Sequence, residues 1–159
     1  MWSDSVINTL LELLASYKRD FIFTLLLKHF FRRYSKAGEV DVLQHSLAKY
    51  TLEICLMDFS LVNVSGSLLS SAALCLSLLI LDKSTSLDTV WSPTLEYYSG
   101  YSAEEVLALI PRLASNVQKI DRMSNLESIR TKYRSGKFLK VADIEELKGE
   151  KLAELAAGF

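Results

Sequence analysis

A chain of 159 residues holds one domain, or one domain and a small extension. Half of it is apolar and 23% is charged, which supports a sizeable core and excludes an extended disordered chain. A formal net charge of −1 excludes a whole-molecule field strong enough to steer it to nucleic acid.

The N-terminus, "MWSDSVINTLLELLASYKRD", carries Val6, Ile7, Leu10, Leu11, Leu13 and Leu14 at amphipathic helical spacing over residues 4–16. It lacks a basic leader and has Asp4 where positive charge is expected, so it does not read as a secretory signal. Residues 21–34, "FIFTLLLKHFFRRY", predict a second apolar helix. Arg32 and Arg33 suit its C-terminus because cations face the negative end of the dipole. Gly38 is a plausible stop. Asp41 with Gln44 has the spacing of a capping box and predicts a helix from Val42 to about Asp58, with Leu43, Leu47, Ile54 and Leu61 on the apolar spacing.

Residues 68–81, within "LLSSAALCLSLLILDK", are apolar on almost every side. Such a helix is a membrane span or a fully buried core helix. A span needs about 20 residues, and this run is shorter, so a central core helix is predicted. Ser70, Ser71, Ala72, Ala73 and Ser77 are small enough for neighbouring helices to approach. The serine hydroxyls can bond to carbonyls one turn back. Ser84–Val90 reads as a loop. Ser92 followed by Pro93 reads as an N-cap with proline at the first helical position, opening the short helix "PTLEYYSGY". Ser102 with Glu105 predicts a helix to about Lys119, kinked at Pro111. Ser124 with Glu127 repeats the capping pattern. The chain from Gly136 is less periodic and is expected to wrap the surface. The fold class is all-α. The divisions are an N-terminal helical extension over 1–20, a main helical domain over 21–135 and a C-terminal tail over 136–159.

The chemistry of an enzyme is hard to find. His29 and His45 are the only histidines, and no HExxH, GxSxG or glycine-rich phosphate loop is present. His29 lies beside two phenylalanines, as packing residues do. His45 and Lys49, one turn apart, read as a solvated helix face. Glu104 and Glu105 point in different directions and serve a helix N-terminus better than acid/base catalysis. Cys55 and Cys75 sit in apolar runs without CxxC spacing and read as buried structural thiols in a reducing compartment. "RTKYRSGKFLK", Arg130 to Lys140, mixes five basic residues with Tyr133 and Phe138. That is either an aromatic–basic nucleic-acid surface or a solvated face whose rings pack inward. "RRYS", Arg32 to Ser35, has the form of a basophilic kinase target. Asn63-Val64-Ser65 is formally a glycosylation acceptor, expected to stay unmodified without a secretory route.

Three separated blocks carry a resemblance. "FFRRYSKAGEVDVLQHSLAKYTLEICLMDF" resembles the opening of the second cyclin box of mitotic B-type cyclins. "WSPTLEYYSGYS" resembles the family's Trp-x-Pro-Thr-Leu and Tyr-x-x-Tyr segment. "KYRSGKF" resembles its Lys-Tyr-x-Ser-x-Lys-Phe segment. They occur in the family's order and cover about residues 28–155. The resemblance implies a five-helix cyclin-box bundle whose third helix is central, the place the 68–81 run takes. It also implies a regulatory subunit, not an enzyme, with a cyclin-dependent protein kinase as partner, no cofactor, and a location in nucleus and cytoplasm. A complete cyclin has two boxes, and the first carries the substrate-docking patch and most kinase contacts. No counterpart of that box is seen here, so kinase binding is expected to be weakened. No catalytic, cofactor, metal or kinase-contact residue carries over. The alternatives are a cyclin-fold interaction module that does not activate a kinase and, less favoured, a nucleic-acid-binding cyclin-fold domain.

Overall fold

The computed structural model describes residues 29–30, 33, 36–82, 86–123 and 126–158. Among them are seven α-helices and no strand: α1 (Val42–Cys55), α2 (Gly66–Leu81), α3 (Pro93–Ser99), α4 (Ala103–Leu107), α5 (Ile110–Lys119), α6 (Glu127–Tyr133) and α7 (Glu150–Ala157). The helix predicted over 4–16 and most of the one over 21–34, with Arg32 and Ser35, lie outside the described residues. So does Ser124.

Capping chemistry sets most of the helix starts. Asp41 Oδ1 accepts from Gln44 N at 2.7 Å while Gln44 Oε1 accepts from Asp41 N at 2.9 Å, completing a reciprocal box at α1. Ser65 Oγ accepts from Leu68 N at α2, and Ser92 Oγ from Leu95 N at α3. Ser102 and Glu105 form a second full box at α4. α5, α6 and α7 start without a side-chain cap bond, at Leu109, Leu126 and Gly149.

α2 is the axis of the bundle. It packs against α1, α3, α4, α5 and the turn at Glu145–Lys148. Ala72, Ala73, Leu74, Cys75 and Leu76 are all fully buried, as the all-round apolar pattern predicts. Its buried hydroxyls are satisfied within the helix. Ser70 Oγ donates to Gly66 O at 2.7 Å, Ser71 Oγ to Ser67 O at 3.0 Å and Ser77 Oγ to Leu74 O at 2.7 Å. Small side chains thus admit close neighbours without stranding a polar group in the core. No helix among the described residues is long and apolar enough to cross a membrane.

Three boundaries differ from the sequence reading. α1 stops at Cys55 rather than near Asp58, because Asp58 is used instead to cap a 3-10 turn at Phe59–Leu61. The helix expected from Ser102 to Lys119 is two helices. Pro111 has no N–H for the carbonyl one turn back and its ring clashes there, so the chain breaks at Ala108–Leu109 instead of kinking. Pro111 then sits in the first turn of α5, where no N–H is needed. The C-terminal stretch, finally, is built into the bundle rather than wrapped over it. Single turns at Gly136–Phe138, Val141–Asp143 and Glu145–Lys148 lead into α7, which lies along α5. Val141, Leu152 and Leu155 join the core, and Lys151 Nζ donates to the Asp82 carbonyl at the end of α2.

Candidate functional site

The groups with catalytic potential do not converge. His29 is exposed. His45, on α1, is half-buried, and desolvation followed by the nearby Lys49 charge lowers its pKa. Burial pushes the Cys55 and Cys75 thiols up to about 12, so neither offers a thiolate nucleophile. No group of three or more His, Cys, Asp or Glu among the described residues could hold a metal ion. Glu105 is occupied by the α4 capping box, and Glu104 is exposed on the same first turn.

The best-formed polar cluster is one the sequence reading missed. Asp58 receives Arg112 Nε at 2.6 Å on Oδ2 and an Arg112 terminal nitrogen at 2.9 Å on Oδ1. Asn116 Nδ2 adds a bond to Oδ2 at 2.8 Å, and Ser60 donates to Oδ1 through both N and Oγ. The Arg112 guanidinium, above the other donors, holds the Asp58 carboxyl well below the usual carboxylate range. With every lone-pair direction engaged, this carboxylate ties the end of α1 to α5. It is a structural lock rather than a reactive acid.

The aromatic–proline motif is a second tie. Trp91 is buried, and its Nε1 donates to Tyr101 O at 3.0 Å. Tyr101 Oη lies 2.9 Å from Ser65 Oγ and 2.6 Å from Ser67 Oγ, at the start of α2. Gly100 supplies the left-handed φ of 76° that ends α3. Most of "WSPTLEYYSGYS" therefore fastens α3 and α4 to the central helix, and Ser65 of the Asn63-Val64-Ser65 triplet is part of that fastening. Tyr97 and Tyr98 are the motif's exposed aromatic rings. Their rings meet edge to face at 5.4 Å, and the Arg33 guanidinium lies 6.0 Å from the Tyr98 ring.

In "RTKYRSGKFLK" the rings face inward. Tyr133 is 1% exposed, between Tyr50 at 5.1 Å and Phe138 at 4.6 Å. Its Oη donates to Glu53 Oε1 at 2.8 Å, and burial first, then the Glu53 charge, raises its pKa. Lys132 pairs with the same Glu53 oxygen, and Arg134 pairs with Asp143 at 3.0 Å. Outside these ties, three exposed apolar side chains, Met57, Phe59 and Val62, lie in the connection between α1 and α2.

What the described surface offers is thus contact, held by rigid ties, on a bundle built around one buried helix. The family model "Cyclin, C-terminal domain" matches residues 25–147. The chain is 41% identical over 127 residues to the G2/mitotic-specific cyclin-B of Patella vulgata, covering 80% of this chain and 30% of that protein. It is 41% identical over 130 residues to the G2/mitotic-specific cyclin-B2 of Bos taurus, covering 81% and 31%. With the G2/mitotic-specific cyclin-B of Hydra vulgaris it shares 37% identity over 145 residues, covering 91% and 38%. The chain belongs to the cyclin family, as a C-terminal cyclin domain of the B type. It spans about a third of the length of these relatives.

Proposed function

We propose that this chain serves mitotic cell-cycle control as a regulatory partner of a cyclin-dependent kinase, in nucleus and cytoplasm. It supplies the second cyclin box and does not perform phosphoryl transfer itself. The observation that carries this reading is the 41% identity to a G2/mitotic-specific cyclin over 80% of the chain, together with the C-terminal-domain match over residues 25–147. The described surface supports it: the Cys55 and Cys75 thiols are buried, and the Asp58 and Glu105 carboxylates are held in hydrogen bonds. By itself, this domain contacts the kinase weakly and leaves it unactivated. Binding to a purified monomeric cyclin-dependent kinase, followed by calorimetry, tests the partner. Weak saturable binding is the expected result. No binding at any accessible concentration favours the second reading, a cyclin-fold interaction module with other partners, for which the exposed Met57, Phe59 and Val62 side chains supply a contact surface.

A further inference from the structure

Leu139 and Lys140 are consecutive non-glycine residues in the left-handed region, at φ 56° and 54°. Neither has the short polar side chain that lets Asn or Asp adopt this conformation at low cost. The cause lies on both sides. Phe138 packs against the core and Val141 is fully buried, so the two residues between them are turned outward. Backbone bonds close the turn: Leu139 N donates to Gly136 O at 3.1 Å, Lys140 N to Ser135 O at 3.2 Å and Asp143 N to Lys140 O at 3.0 Å. The result is a fixed knuckle presenting Leu139 at 45% exposure.

Lysines flank that leucine in the sequence at Lys137 and Lys140. Lys132 Nζ and Lys137 Nζ lie 5.5 Å and 5.8 Å from the centroid of the adjacent Phe138 ring. The nearby acids are already committed: Glu53 to Lys132, and Glu127 and Asp143 to Arg134. Glu145 and Glu146 follow in the chain but pair with neither Lys137 nor Lys140. These two lysines are exposed and have no ion-pair partner among the described residues. An outward apolar side chain between uncompensated cations, on a strained backbone held from both ends, matches an acidic ligand with an apolar anchor.

We propose that the Gly136–Lys140 turn is a docking site for an acidic peptide segment of a partner protein. The peptide lays an apolar side chain on Leu139 and carboxylates on Lys137 and Lys140. A single-stranded nucleic acid fits less well, because it needs open ring faces to stack on. Tyr133 is buried, and the Phe138 ring packs on the Tyr133 ring at 4.6 Å, with Lys132 Nζ and Lys137 Nζ 5.5 Å and 5.8 Å from its centroid.

The test is fluorescence anisotropy of the full chain with a fluorescein-labelled oligoglutamate peptide carrying one central leucine. Saturable binding is expected. The pair Lys137→Gln and Lys140→Gln should weaken it about tenfold, the effect of two exposed charge contacts. Leu139→Gly relieves the left-handed strain, so its melting temperature should equal or exceed the wild type, while peptide affinity falls about tenfold. A purely structural turn predicts a change in melting temperature without the loss of affinity. Absence of binding, equal binding of a leucine-free oligoglutamate, wild-type affinity in Leu139→Gly, or tighter binding of an oligothymidine of matched charge would each overturn the proposal.

Discussion

Leu76 has no exposed surface and lies in the middle of α2, with helices on all sides. Leu76→Ala removes buried methyl groups from a site that cannot collapse, and should cost about 2–5 kcal/mol. A urea midpoint unchanged by the substitution would take Leu76 out of the core. Asp58 makes a different prediction. Its carboxyl titrates lower when folded than when unfolded, so the folded state binds fewer protons in acid. Its contribution is complete above the unfolded value of about 3.9 and is lost as pH falls below that toward the lower folded value. Asp58→Asn should cost about 2 kcal/mol at neutral pH, since it weakens charge-assisted bonds to Arg112. It should also flatten the acid limb of the stability–pH curve. An acid limb as steep as the wild type's would assign that sensitivity to other carboxylates. Ala72, Cys75, Leu76 and Leu79 were legible as core because an all-round apolar helix has few other places to go. The Asp58–Arg112 pair was not, since its members are 54 positions apart and no local pattern links them.

At the scale of elements, helix starts were more legible than helix ends. A capping box is a local contract between residues three apart, so Asp41/Gln44 and Ser102/Glu105 can be read directly. Where α1 stops is marked by Asp58, which caps the next turn and is also held by Arg112, 54 positions away. Pro111 was read as a kink, yet the chain could break there because two short helices, α4 and α5, each find their own packing against α2. α7 was obscure for a related reason. Its apolar face is narrow, and only the matching face of α5, with Leu113, Ala114 and Val117 buried, makes it worthwhile as a helix. Deleting residues 149–159 should therefore uncover that face. The expected outcome is a melting temperature lowered by at least several degrees and increased binding of a hydrophobic dye. A truncated chain that melts like the full one and binds no dye would make α7 a bystander.

At the scale of the whole molecule, the proposed kinase partnership turns on how much free energy this domain can deliver by itself. Moving a two-state enzyme from almost wholly inactive to almost wholly active takes about 5.5 kcal/mol of preference for the active state. A partner supplies that only through contacts it makes in one state and not the other. The described surface has few groups suited to the task. Its strongest polar ties, Asp58 with Arg112 and Glu53 with Lys132 and Tyr133, are internal. Its exposed apolar side chains are spread among separate places, including Phe59, Tyr97 and Leu139, rather than gathered into one large face. Specific interfaces of ordinary strength bury about 800 Å² on each partner around a central apolar cluster. We therefore expect the purified chain, mixed with a monomeric cyclin-dependent kinase, to leave histone phosphorylation within about twofold of the kinase alone, a shift of roughly 0.4 kcal/mol. Stimulation approaching that of a two-box cyclin would show that this chain delivers the full preference. The reading of it as a non-activating second box would then have to be given up.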